Sequence, residues 1–425
     1  MTSRAGSSGP DRMSGQGGMS EQGGVSGQGG TSGPGASTAH AVLAGVVCGL
    51  VGFTSSFAVV LTGLQAVGAS PEQAASGLLV LCVTMGLGCV LFSWRLRMPV
   101  TMAWSTPGAA LLAAGTVPAG GFATAVGAFL LCGVLIALCG LVRPLERLVE
   151  AIPTGLASAM LAGVLLTLCV APFRAVVTSP AAIAPVMATW LVLVAFARRW
   201  AVIGALVAAI VVMAVQGVFG RLDLATAVPA VVPVAPAFNA TALLAIGLPL
   251  FVVTMTSQNI PGMAVLASFG YRPGMRAPLL YTGGATAVGA VGGAHAINLA
   301  AISAALAAGP EAHADRSRRW IAGVACGVTY MAFGPLAGLV TAAARSAPDG
   351  LIGTIAGLAL LGTFAASAAA ALADAGSREA GAVTLVVAAS GLTVGGIGAA
   401  FWGLVAGVVV LAALRIERRR KRPPA

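Results

Sequence analysis

Thr254-Met255-Thr256-Ser257-Gln258-Asn259-Ile260-Pro261-Gly262 sets five polar side chains and a helix breaker inside a long apolar stretch. Hydrocarbon tolerates such groups only where protein or a water-filled cavity satisfies them, so the segment reads as one wall of a solute site within a membrane. Gln258 and Asn259 offer neutral donors and acceptors, and Ser257 adds a hydroxyl. A second polar segment is Met98-Pro99-Val100-Thr101-Met102-Ala103-Trp104-Ser105-Thr106-Pro107-Gly108, with two prolines eight residues apart. It predicts an extended stretch leading into a short helix that starts near Ser105 to Gly108. A third is Gly289-Ala290-Val291-Gly292-Gly293-Ala294-His295-Ala296-Ile297-Asn298, a Gly-rich break before a helix that ends ahead of Gly309-Pro310. Paired interrupted helices mark the substrate site of inverted-repeat transporters.

Two such helix N-termini facing each other near the midplane would each present unpaired N–H groups and about half a positive charge, which suits a carboxylate. Ser105, Thr106, Gly108, Ala296 and Ile297 are then the expected donors or their positioners, and Trp104 offers a face for a planar ring. His295 is the one titratable side chain expected at mid-depth, because every Asp and Glu falls near a span end or in a loop. A monovalent anion entering a negative interior costs about 2.3 kcal/mol per 100 mV, and one accompanying proton cancels that charge. His295 is the candidate to carry this proton, and the alternative is the substrate's own carboxyl, with a pKa of about 4, taken up protonated.

These segments need spanning helices to hold them. Hydrophobic residues make up 58% of the chain and charged residues 8%, and the mean hydropathy is +0.96. Soluble domains carry roughly 25% charged residues, so the chain is an integral membrane protein. Apolar blocks between Ala41 and Leu414 have the length of membrane-crossing helices, and alternating β signals are absent. Fourteen spans are expected, at 40–62, 72–94, 99–116, 121–142, 151–171, 181–197, 200–219, 240–260, 276–292, 294–309, 318–343, 350–372, 379–396 and 398–415. With both termini inside, 20 of the 23 basic residues fall on the cytoplasmic side, and only Arg174, Arg221 and Arg345 lie outside. That bias at every second loop is the positive-inside pattern. The net charge of +11 therefore reports topology, and no nucleic-acid partner is implied.

Residues 1–39 repeat Ser-x-Gln-Gly-Gly at a six-residue step and read as a disordered cytoplasmic tail, and residues 416–425 as a basic one. Ser70-Pro71-Glu72-Gln73 is a capping box that makes Glu72 a helix-start acid. The seven cysteines show no Cys-x-x-Cys pair and read as small buried apolar residues, and the three histidines are too scattered for a metal site. The single lysine, Lys421, lies in no phosphate-binding loop, so ATP-driven transport is excluded, and no cofactor is expected. Thr54-Ser55 precedes Gly68 as Thr256-Ser257 precedes Gly270, an offset of 202, which favours a repeat of seven plus seven spans.

Trp104-Ser105-Thr106-Pro107-Gly108-Ala109-Ala110-Leu111, Thr256 to Leu266 and Gly292 to Ile302 together resemble the benzoate membrane transport (BenE) family of aromatic-acid/proton symporters. The resemblance covers residues 40 to 415. It implies an all-α polytopic, UraA-like fold of fourteen spans in a seven-plus-seven inverted repeat, at residues 40–219 and 240–415. Spans 3 and 10 are then half-helices preceded by short extended segments. A core domain would take residues 40–142 and 240–343, and a gate domain 143–219 and 350–415. The implied partners are an aromatic carboxylate, a proton and membrane lipid, with a homodimer left open. The embedded glutamates of nucleobase carriers with this fold have no counterpart here. The expected substrate site is Trp104, Ser105, Thr106, Gly108, Ser257, Gln258, Asn259, His295, Ala296, Ile297 and Asn298.

Overall fold

The computed structural model describes residues 37–142, 144–145, 153–221, 228–301 and 303–421. The expected N-terminal tail up to residue 36, the stretch of Arg143, Glu146, Arg147 and Glu150, whose three- and four-residue spacing predicts a solvated ion-paired face, and residues 422–425 lie outside that set.

In the first half the chain runs through α1 (Thr38–Thr54), α2 (Phe57–Ala66), α3 (Pro71–Leu96), β1 (Met102–Trp104), α4 (Thr106–Ala113), α5 (Phe122–Leu141), α6 (Thr154–Thr178), α7 (Pro180–Phe196) and α8 (Ala201–Val215). The second half holds α9 (Ala240–Ser268), α10 (Arg276–Ala290), β2 (Ile297–Leu299), α11 (Ala304–Ala308), α12 (Trp320–Phe333), α13 (Ala337–Ser346), α14 (Leu351–Leu372), α15 (Arg378–Ala389), β3 (Thr393–Val394), β4 (Ile397–Gly398) and α16 (Ala399–Lys421). Eight helical stretches among the described residues, with α1–α2 and α12–α13 each taken as one, are long and apolar enough to cross a membrane, and α7 and α8 are shorter apolar helices.

Local sequence explains where these helices start and stop. Gln73 N–H donates to the Ser70 hydroxyl at 3.2 Å and Ser70 N–H donates to Gln73 Oε1 at 2.8 Å, the capping box expected for α3. Helix α2 ends at Gly68 and α9 at Gly270, both with φ in the left-handed region that glycine reaches without strain. Their closing bonds match: Gly68 N–H to Gln65 C=O and Ala69 N–H to Leu64 C=O, then Gly270 N–H to Ala267 C=O and Tyr271 N–H to Leu266 C=O. The offset of 202 seen in the sequence is thus carried by the same helix-ending motif in both halves.

Three boundaries differ from the sequence reading. The span at 240–260 continues to Ser268, because α9 passes Pro261 through a π turn at Met255–Asn259 and passes Pro249 through another at Leu243–Gly247. The wider turn absorbs the hydrogen bond that a proline cannot donate, so Pro261 reshapes the helix without ending it. The span at 294–309 is helical only over Ala304–Ala308, since Ile297–Leu299 are drawn into a strand. The span at 379–396 closes at Ala389, and Gly391, Gly395 and Gly396, all at positive φ, turn the chain through the β3–β4 hairpin.

Packing pairs α1 and α3 with α12, α5 with α10, α6 with α14 and α15, α7 with α8, and α15 with α16. Inside lipid, helices gain by close backbone approach, and glycines permit it. A Cβ on Gly86 would lie 2.6 Å from Gly327 O, and one on Gly283 would lie 2.6 Å from Gly133 O. All seven cysteines are buried as free thiols.

Candidate functional site

The site is built on two short strands that cross between helices. β1 and β2 pair antiparallel, with Met102 opposite Leu299, Ala103 opposite Asn298 and Trp104 opposite Ile297. Thr101 C=O accepts from Ala300 N–H at 3.0 Å, and Ala296 C=O accepts from Ser105 N–H at 2.8 Å, so the ribbon closes at both ends. Backbone that would be ruinous in lipid is satisfied here by its partner strand and by side chains of the flanking helices. Asn259 Oδ1 accepts from Leu299 N–H at 2.9 Å, and Thr286 Oγ1 accepts from Ile297 N–H at 3.0 Å.

Ser105 caps α4, its hydroxyl accepting from Gly108 N–H at 3.1 Å and lying 2.9 Å from the Thr254 hydroxyl. Pro107 has no N–H and Ala109 N–H already bonds Ser105 C=O, so the first turn of α4 keeps few free donors. A Cβ on Gly108 would meet Leu250 Cδ1 at 2.4 Å, so a side chain here would push the Leu250 methyl of α9 aside. Ser56, in the break between α1 and α2, accepts from Trp104 Nε1 at 2.8 Å and from the Thr106 hydroxyl at 3.2 Å.

A cavity of about 330 Å³ opens beside this ribbon. One wall is Pro107 of α4, Thr256, Ser257, Gln258 and Pro261 of α9, and Ala301; the other is Ser158 and Leu161 of α6 with Gly362, Thr363, Ala366, Ser367 and Ala370 of α14. Of the expected residues, Ser257 and Gln258 line it. Gln258 is 9% exposed and turns this limited surface to the cavity.

The other expected residues stand behind the wall. Asn259 is fully buried, clamping β2. Trp104 packs on Phe53 with ring centroids 5.5 Å apart, which fills the face expected to meet a substrate ring. Ala296 and Ile297 precede or form β2, and their backbone bonds go to Ser105 and Thr286, so neither donates from a helix N-terminus as expected. Strand pairing with β1 is the physical reason. His295 and Asn298 have 0% exposure, and the polar atoms of both side chains lack a partner among the described residues. Neither lines this cavity.

No Asp, Glu, Lys, Arg or His is among the lining residues, so the cavity is neutral. Sequence reasoning missed its α6 and α14 side. The available signal was a helix with small residues at Gly362, Ala366 and Ala370, four apart, and hydroxyls at Thr363 and Ser367 beside them. A second cavity of about 410 Å³ lies on the far side of α4, between Leu111, Val164, Thr167, the start of α9 and the β3–β4 hairpin.

The profile described as benzoate membrane transport protein (BenE) matches residues 35–413. The inner membrane protein YdcO of Escherichia coli is 36% identical over 381 residues, covering 90% of this chain and 97% of its own length. The benzoate membrane transport protein of Acinetobacter baylyi is 28% identical over 369 residues, covering 87% and 93%. Among solved structures, the transmembrane domain of a cyanobacterial bicarbonate transporter, BicA, superposes with a TM-score of 0.57 at 14% identity, covering 88% of this chain and 97% of that one. At that identity the likeness speaks for the fold alone.

Proposed function

The chain belongs to the benzoate membrane transport (BenE) family, and from that premise we propose that it imports benzoate or a related aromatic carboxylate together with a proton, by alternating access. It is an integral membrane transport protein and not an enzyme. The observation that carries the substrate reading is the neutral cavity of about 330 Å³, within the usual range for small-molecule sites, between the polar turn of α9 and the small-residue face of α14. A neutral cavity of this size with an amide on one wall fits a small ring bearing one carboxyl group.

Fourteen segments in a seven-plus-seven inverted repeat are supported by the repeated order of elements. Helix, helix, strand with short helix, then four helical segments occur in each half, and the helix-ending motif recurs at Gly68 and Gly270. The core and gate division is supported by packing, since α1, α3, α5, α10 and α12 associate with one another while α6 associates with α14 and α15. For orientation, Arg97 stacks over Trp320 at 4.2 Å and Tyr271 hydroxyl donates to Arg316 C=O at 2.8 Å, gathering the ends of α3 and α9 with the start of α12. With that basic end inside, the cavity on the second half of α9 and the last turns of α14 opens to the cytoplasm.

Uptake of labelled benzoate into proteoliposomes tests the reading. An inside-alkaline gradient should drive accumulation above protein-free liposomes, and a protonophore should abolish it. Uptake that ignores the gradient would make the protein a uniporter, and a panel in which uracil or sulfate is carried while aromatic carboxylates fail would sink the substrate assignment.

A further inference from the structure

The neutral cavity has a consequence for the coupled proton. Gln258 carries one carbonyl oxygen and an NH2 group on a single planar face, and it is 9% exposed on the wall of the cavity. A carboxylic acid is the matching partner, because its C=O accepts from the amide N–H while its O–H donates to the amide oxygen. A carboxylate offers no donor to that oxygen and would bring an unpaired charge into a site without a cation. The turn of α9 packs on α6 and β2, α4 and α14 complete the cavity wall, and none of these presents an ionisable side chain to the cavity. His295, two residues before β2, is fully buried and does not line the cavity. At the end of α14 the Asp374 carboxylate already accepts from Gly376 N–H and the Ser377 hydroxyl at 2.9 and 2.7 Å, and Arg378 Nε donates to Leu372 C=O. Helix α6 carries Arg174 four residues before its end, beyond Val164 and Thr167, which line the cavity on the other side of α4.

We infer that the aromatic acid is bound and carried in its neutral form, its carboxyl paired with the Gln258 amide, so that the coupled proton travels on the substrate. The inference rests on the transport reading above. One proton joins the anion on one side and leaves it on the other, and no protein group changes charge during the crossing.

Equilibrium binding to the purified full-length protein in nanodiscs tests this. Above the acid's own pKa, near 4 for carboxyls, the apparent dissociation constant should rise tenfold per pH unit. A series of ring-substituted benzoates should therefore break at different pH values, each following its own pKa. Benzamide, an uncharged isostere, should compete with the same affinity from pH 5 to 8, and benzenesulfonate should fail to compete. Gln258→Leu should weaken both benzoate and benzamide by more than tenfold. A break at one pH shared by all the acids, or effective competition by benzenesulfonate, overturns the inference while leaving transport intact. If the wild-type protein binds no aromatic acid at any pH, the transport reading falls and this inference falls with it.

Discussion

Ser105 joins three parts of the molecule: its hydroxyl caps α4 and meets Thr254 of α9, and its N–H closes the ribbon onto Ala296. Ser105→Ala removes the cap, which is worth about 1 kcal/mol, and leaves the Thr254 hydroxyl to turn back to its own helix. The detergent-solubilised variant should unfold roughly 1 °C lower, because about 1 kcal/mol is spread over an unfolding entropy of about 2.1 cal/mol/K per residue, and benzoate uptake should fall with it. An unchanged melting temperature would show that the cap does not hold α4. Much of this residue-level logic was legible in the sequence, since a serine before Thr-Pro-Gly is a helix start whatever surrounds it. Gln258 was legible too, as an amide with no local reason to be in lipid. Trp104 and His295 were not, because the face a side chain presents depends on the strand that pairs with it and on the helix behind. Trp104 turns to Ser56 and Phe53, residues about fifty positions earlier in the chain.

At the scale of elements, the sequence located the breaks but not their form. Pro261 reads as a stop, yet α9 absorbs it in a π turn, and the same device recurs at Pro249. The Gly-rich run before His295 reads as the lead into a helix, yet pairing with β1 claims three residues first. Neither outcome is encoded locally, since each requires a partner element to be in place. Helix contacts can be tested with two adjacent glycines of α10. A Cβ on Gly283 would lie 2.3 Å from Ala137 N, whereas one on Gly284 would meet nothing within 4 Å. Gly283→Ala should destabilise by about 1–3 kcal/mol through overpacking against α5. Gly284→Ala should be neutral or stabilising by up to about 0.5–1 kcal/mol, because it only relieves the entropy cost of a helical glycine. Thermal unfolding should therefore be lowered by Gly283→Ala and unchanged or raised by Gly284→Ala, and equal losses would argue against the α5–α10 crossing.

For the whole molecule, charge placement in the sequence carried more than any motif, since it assigned loops to sides before any contact was known. His40 at the start of α1 bonds Glu311 C=O at 2.8 Å, and Arg97 stacks on Trp320, so the start of α1, the end of α3 and the start of α12 lie together, as the proposed orientation requires. What the sequence left hidden was the second wall of the site, because α6 and α14 are apolar helices whose small-residue faces gain meaning only when packed. That wall makes alternating access measurable. On α6, Ser158 lines the smaller cavity and Thr167 the larger one, with Leu161 and Val164 between them. The two cavities are separated on α4 by the single turn from Pro107 to Leu111, about 5 Å of helix. Native thiols are buried, so a membrane-impermeant thiol reagent should find a single introduced cysteine. In right-side-out vesicles Thr167→Cys should react from outside while Ser158→Cys should react only in inverted ones. Adding benzoate should change the two rates in opposite directions, because a rocking gate that opens one cavity closes the other. If both cysteines react from the same side, or substrate raises both rates together, the cavities are not alternately exposed ends of one pathway and the transport cycle proposed here is wrong.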